Sequence, residues 1–166
     1  MKFTLTRDVE PPKRAHEFDA GADFFCPRSG ALTLTEMLEK NPTLTSANFG
    51  PDGITLGPGQ RVNIPSGVIV KVPENRALIA ANKSGIASKR GLVIGACVID
   101  TFYQGEVHIN LINTSNVETS IKYGEKIIQF VMFHIDCDKP EYVSSLAELY
   151  PEKSERADGG FGSSGT

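Results

Sequence analysis

The sequence predicts an all-β fold of the sandwich or barrel type, on three observations. Short runs rich in Val, Ile, Thr and Phe recur along the chain, 16 glycines and 10 prolines punctuate them, and helical periodicity is scarce. Short strands separated by turn residues bury a shared core by closing into a sandwich or barrel. With 166 residues, 40% of them hydrophobic, the chain has the size of one domain. At roughly 150 residues a globular fold buries about 70% of its unfolded surface, enough for one sizeable core.

The predicted strands, in order, are Lys2 to Arg7, Ala22 to Cys26, Arg61 to Ile64, Val68 to Val72, Ala77 to Ala81, Val93 to Ile99, Val107 to Asn113 and Ile127 to Phe133. Each is rich in residues that pack well on a pleated surface and is bounded by turn formers. One short helix is predicted over Leu34 to Lys40, because Thr33 and Glu36 have capping-box spacing and Asn41-Pro42 stops the pattern. A second covers Ser145 to Leu149. Asn41 to Gly59 holds turn formers without a period and is expected to be a surface loop. From Tyr150 the chain becomes charged and then rich in Gly and Ser, which predicts a mobile tail. The expected organisation is one domain over residues 1–149 and a tail over 150–166.

The net charge of -3 argues against stable nucleic-acid binding, so an anionic ligand must be caught by a local site. Cys26, Cys97 and Cys137 are widely spaced and form no C-x-x-C pair, which argues against a disulfide framework or structural zinc and for a reducing compartment. No run approaches the 18 or so apolar residues of a membrane span, and the N-terminus resembles no targeting segment. A soluble, cytoplasmic protein without membrane contact is expected. His16, His108 and His134 are scattered, without the H-x-x-x-H spacing of a zinc hydrolase.

Three segments carry candidate chemistry. In Gly95-Ala-Cys-Val-Ile-Asp-Thr-Phe-Tyr-Gln-Gly105 an apolar strand delivers Asp100 at its end, next to Tyr103 and a turn. Asp100 reads either as a general base or as a turn cap beside a half-buried core aromatic, Tyr103. Asn82-Lys-Ser-Gly-Ile-Ala-Ser-Lys-Arg-Gly91 gathers cations, hydroxyls and glycines that can wrap phosphate oxygens, or form an ordinary basic turn; it is no P-loop. Arg156-Ala-Asp-Gly-Gly-Phe-Gly-Ser-Ser-Gly165 offers a phosphate-gripping Arg156 and a base-covering Phe161, or else a plain flexible terminus.

In combination the motifs resemble the trimeric dUTPase family, whose five motifs recur in order over nearly the whole chain. Ala20-Gly-Ala-Asp23 resembles the first, Lys83-Ser-Gly-Ile-Ala87 the second, Gly95 to Gly105 the third, Gly124-Glu-Lys-Ile-Ile-Gln129 the fourth and Arg156 to Gly165 the fifth. The resemblance implies a jelly-roll-like β-barrel, a homotrimer with shared active sites, and hydrolysis of dUTP to dUMP and pyrophosphate. That reaction limits uracil incorporation into DNA and supplies dUMP for thymidylate synthesis. Asp100 would hold the water that attacks the α-phosphorus, Tyr103 would pack on the deoxyribose, and backbone groups of Gly95, Ala96, Cys97 and Val98 would pair with uracil. Lys83, Ser84, Gly85 and Gln129 would contact the phosphates. Asp23 would hold waters of a Mg2+ carried mainly by the substrate. Arg156, Gly162, Ser163 and Ser164 would close on the γ-phosphate, with Phe161 over the base.

Lys83 and Lys126 stand where the family usually has arginine, and Cys97 where it usually has glycine. The segment from about Thr35 to Gly53 is longer than the family needs; it reads as surface decoration or as a protein-partner element. Two other functions compete: the dCTP deaminase branch of the same fold, with Glu106 as its base, and a non-catalytic regulator that binds nucleotide or a partner.

Overall fold

Strands account for most of the regular structure. A computed structural model of the chain describes residues 1–152, which divide into two compact units, Met1–Asp136 and a second beginning at Cys137. In the first unit the strands are β1 (Lys2–Leu5), β2 (Gly21–Phe25), β3 (Gly53–Leu56), β4 (Arg61–Pro65), β5 (Val68–Lys71), β6 (Arg76–Ala81), β7 (Leu92–Ile94), β8 (Val98–Ile99), β9 (His108–Asn113), β10 (Thr119–Lys122) and β11 (Lys126–His134). They form a four-stranded sheet in the order β2-β11-β6-β8, a three-stranded sheet β4-β9-β7, and the pairs β1-β5 and β3-β10. Every pairing is antiparallel. The all-β, jelly-roll-like fold expected from the sequence is the fold observed.

The core follows from strand alternation. Ile54 and Leu56 of β3, Val62 and Ile64 of β4, Ile109 and Leu111 of β9 and Ile121 of β10 are all buried, with more exposed residues between them. Phe24 and Phe130 meet at a ring-centroid distance of 4.6 Å and an interplanar angle of 56°, an orientation aromatic pairs favour. All five residues of β2 are buried, which delivers Asp23 into the interior with its apolar neighbours.

Helix α1 (Leu34–Lys40) forms as the capping spacing predicts: Thr33 Oγ1 accepts the Glu36 backbone N–H at 3.2 Å. The segment after it departs from the expected loop. Leu44 is buried, Ser46–Asn48 forms a 3-10 turn, and β3 follows. With Met37 and Asn41 also buried, the stretch near residues 35–53 is built into the body of the fold. Asn41 joins α1 to β4: its Nδ2 donates to the Asn63 carbonyl at 3.1 Å and its Oδ1 accepts the Asn63 N–H at 2.6 Å.

Two further expectations are corrected. The run Val93 to Ile99 is two strands, because the chain turns at Gly95 and passes from the sheet holding β9 to the sheet holding β6. The segment after Lys83 is a helix, α2 (Ser84–Arg90), which ends at Gly91 in the left-handed conformation with φ 65°. In the second unit, α3 (Leu146–Leu149) is capped by Ser145, whose side chain accepts the Glu148 N–H. Among the described residues, no helix is long and apolar enough to cross a membrane.

Candidate active site

The site residues of the first unit fall into two clusters. The first is built around the turn between β7 and β8. Gly95 N–H donates to the Asn110 carbonyl at 3.0 Å, Ala96 N–H to Asn110 Oδ1 at 3.2 Å, and Ala80 N–H to the Cys97 carbonyl at 2.8 Å. A Cβ on Gly95 would stand 1.8 Å from Asn110 Oδ1, so a side chain at 95 cannot coexist with Asn110 as placed. Asp100 follows β8 and is exposed; its carbonyl accepts the Tyr103 N–H at 3.2 Å, closing the next turn. Ala96, Cys97, Val98, Asp100, Tyr103 and His108 line a cavity of about 330 Å³.

Glu106 fixes the end of this loop. Its carboxylate accepts Arg7 Nε at 2.7 Å, Arg7 Nη2 at 3.0 Å and the Gly67 N–H at 2.6 Å. Burial alone would push the Glu106 carboxyl up, but the Arg7 guanidinium and the Gly67 N–H outweigh it and hold the group below the usual carboxylate range. The Glu106 carbonyl accepts Tyr103 Oη at 2.9 Å and lies 2.9 Å from His108 Nδ1.

The second cluster surrounds Asp23. Lys83 Nζ donates to Asp23 Oδ1 at 2.5 Å, and Lys126 Nζ lies 3.0 Å from Oδ2. Burial would raise the Asp23 carboxyl; the two ammonium groups reverse the effect and lower it. The two lysines thus converge on one carboxylate. Asp23, Lys83, Ser84, Gly85, Lys126 and Gln129 line a second cavity of about 440 Å³. The α2 N-terminus presents Ser84 and Gly85 there, and a Cβ on Gly85 would meet only open space.

The two clusters are linked through Asn82, whose Oδ1 accepts the Ile94 N–H at 3.0 Å and whose carbonyl accepts Gln129 Nε2 at 3.0 Å. They nevertheless line separate cavities. Arg156, Phe161, Gly162, Ser163 and Ser164 lie outside the described residues. Sequence reasoning missed the positioning contacts of Asn82, Asn110 and Arg7, whose side chains act on segments far from them along the chain.

The β body thus carries an exposed acid beside a tight backbone turn, and lysines and a hydroxyl around a second cleft. The dUTPase family model matches residues 51–165. A deoxyuridine 5'-triphosphate nucleotidohydrolase of Wolbachia pipientis subsp. Culex pipiens is 35% identical over 117 residues, covering 69% of this chain and 74% of that protein. Its counterpart in Mycobacterium sp. (strain JLS) is 30% identical over 164 residues, 97% of this chain and 91% of that protein. Among solved structures, the Staphylococcus bacteriophage 80alpha dUTPase with dUPNHPP superimposes with a TM-score of 0.75 at 24% identity, covering 99% of this chain and 98% of that one. A dUTPase variant from phage phi11 of S. aureus, described as coordinating a structural Mg(II) ion, does so with a TM-score of 0.67 at 22% identity over 87% and 97% of the two chains. The chain belongs to the dUTPase family, hydrolases of nucleotide metabolism.

Proposed function

We propose that the chain hydrolyses dUTP to dUMP and pyrophosphate, with Asp100 as general base. The observation that carries this reading is the placement of Asp100: exposed, free of ion pairs among the described residues, and in one cavity with the Gly95 to Val98 turn and Tyr103. A carboxylate there accepts a proton from water as the water oxygen bonds to the α-phosphorus. The bond from that phosphorus to the α,β-bridging oxygen breaks, and pyrophosphate leaves. Uracil pairs with backbone groups of the turn, and the Tyr103 ring packs on the deoxyribose.

The phosphates are proposed to lie against Lys83, Ser84, Gly85 and Gln129. Lys126 joins them, since it shares Asp23 with Lys83. Both Asp23 oxygens face ammonium groups, and no three His, Cys, Asp or Glu among the described residues are grouped to hold a metal ion. Magnesium is commonly held through waters by one or two carboxylates beside substrate phosphates, so Asp23 is proposed to hold waters of a Mg2+ carried mainly by the triphosphate, where the ion neutralises phosphate charge. Arg156, Gly162, Ser163 and Ser164 are proposed to cover the γ-phosphate and Phe161 the base, residues 150–166 serving as the closing segment of a domain over 1–149.

A homotrimer with active sites completed between copies is proposed from the motif resemblance to the family. Light scattering at three chain masses supports it; a monomer contradicts it. The engagement of Glu106 by Arg7 and Gly67 speaks against its acting as a deaminase base. The burial of Met37 and Leu44 favours a structural over a partner-binding role for the segment near 35–53. Pyrophosphate release with Mg2+ across dUTP, dCTP, dTTP and UTP tests the reading: dUTP is the expected substrate, and ammonia release from dCTP would overturn it.

A further inference from the structure

We propose that Arg7 is a positioning residue for the sugar subsite, setting Tyr103 through Glu106 and so setting the preference for a deoxyribonucleotide over a ribonucleotide. The inference rests on the reading of Tyr103 as the residue that packs on the deoxyribose.

One guanidinium makes two bidentate carboxylate pairs. Arg7 Nε and Nη2 grip Glu106 at 2.7 and 3.0 Å, while Nη1 and Nη2 grip Glu36 of α1 at 2.9 and 2.5 Å. Nη1 also donates to the Ala31 carbonyl at 3.3 Å. A planar fork of donors fixes direction as well as distance, which a lysine ammonium does not. The Gly67 N–H adds a third donor to the Glu106 carboxylate at 2.6 Å, so this side chain is held from two elements.

The backbone of the same residue holds the aromatic. Tyr103 Oη donates to the Glu106 carbonyl at 2.9 Å, and the ring folds back so closely over Gly105 that a Cβ there would stand 2.4 Å from Oη. His108 Nδ1 lies 2.9 Å from the same oxygen, a contact that places a proton on Nδ1 and occupies a second acceptor direction of the carbonyl. Tyr103 is 42% exposed, so packing alone does not fix the ring. Its position depends on where the Glu106 carbonyl stands, which the bonds of Val107 to Ser66 and Val68 and the grip of Arg7 on the Glu106 side chain set together. A 2′-hydroxyl is excluded by shape, and a ring displaced by a fraction of an ångström admits it.

The test uses the full chain with dUTP and with UTP, measured as kcat/KM for pyrophosphate release. Arg7→Lys keeps the charge and loses the fork. It is expected to narrow the dUTP over UTP ratio about tenfold, below the roughly hundredfold cost of a full 1 Å misplacement. Tyr103→Phe, which removes the hydroxyl held by Glu106, is expected to narrow it comparably. The double variant should narrow it no further than either single change, because both cut one path. A loss of activity equal for both substrates, or additive effects on the ratio, would overturn the proposal. Should Arg7→Lys not fold, Glu106→Gln replaces it in the same cycle, with the same outcomes deciding. The wild-type ratio reports separately on the underlying reading: a wild-type chain without preference for dUTP overturns both, whereas a strong preference left intact by the variants overturns the role of Arg7 alone.

Discussion

Lys83 Nζ donates to Asp23 Oδ1 at 2.5 Å, so the lysine that precedes α2 is held by an acid sixty residues away. Lys126 occupies the other carboxylate oxygen. Asp23 titrates lower in the folded chain than in the unfolded one, so its contribution to stability is complete above the unfolded value of about 3.9 and is lost as pH falls through the lowered folded value. Asp23→Asn is therefore expected to cost about 1.5–3 kcal/mol at neutral pH, the range for hydrogen bonds to charged groups. Its melting temperature should also fall less than the wild type's on acidification below about pH 4. Thermal melts of both proteins from neutral to acid pH check this; parallel curves would show that the pair contributes nothing.

Asp100→Asn preserves shape and removes the proton acceptor. Because Asp100 is exposed and outside the core, the melting temperature should not move, while kcat for dUTP falls by about 10²- to 10⁴-fold. An Asn variant of near wild-type turnover would exclude Asp100 as the base.

Gly95→Ala puts a Cβ into Asn110 Oδ1. The turn between β7 and β8 must shift, at a cost of about 1–3 kcal/mol for overpacking. The expected result is a marked loss of kcat/KM, partly restored by Asn110→Ala in the same chain, which removes the clashing oxygen. Steady-state kinetics of the single and double variants measure the restoration; its absence would place the defect elsewhere.

The three thiols should differ sharply toward iodoacetamide. Cys26 is buried, and burial, with the Glu125 charge, pushes its pKa up to about 12. Cys97 is half-buried in the cavity beside Asp100, and Cys137 is exposed. Peptide mass spectrometry at neutral pH should find Cys137 alkylated first and Cys26 last, since the thiolate is the reactive form.

How far the sequence could be read depended on whether a feature was local. The strand at Lys126–His134 and the capped helix at Leu34–Lys40 announce themselves by composition and cap spacing. Gly53–Leu56 does not: its buried Ile54 and Leu56 alternate properly, but Gly50, Pro51 and Asp52 before it and Gly57 and Pro58 after it read as a loop. Thr119–Lys122 carries a single buried apolar residue, Ile121, too little for a period. Ser84–Arg90 is helical despite a glycine, two serines and no side-chain cap, so propensity pointed away from it. For the site, the motifs and their order were legible, whereas the grip of Lys83 and Lys126 on Asp23 and of Arg7 on Glu106 is tertiary and leaves no periodic trace.

The two hydrogen bonds between Asn41 and Asn63 bear on solubility. Strand β4 lies at an open edge of its three-stranded sheet, where an unpaired N–H and C=O invite a strand from another molecule. The Asn41 amide offers one donor and one acceptor to the outward N–H and C=O of a single residue, as a neighbouring strand would, yet it cannot propagate a ladder. The segment carrying Asn41 thus acts as a stopper on an adhesive edge, and shortening it is expected to expose β4 to self-association.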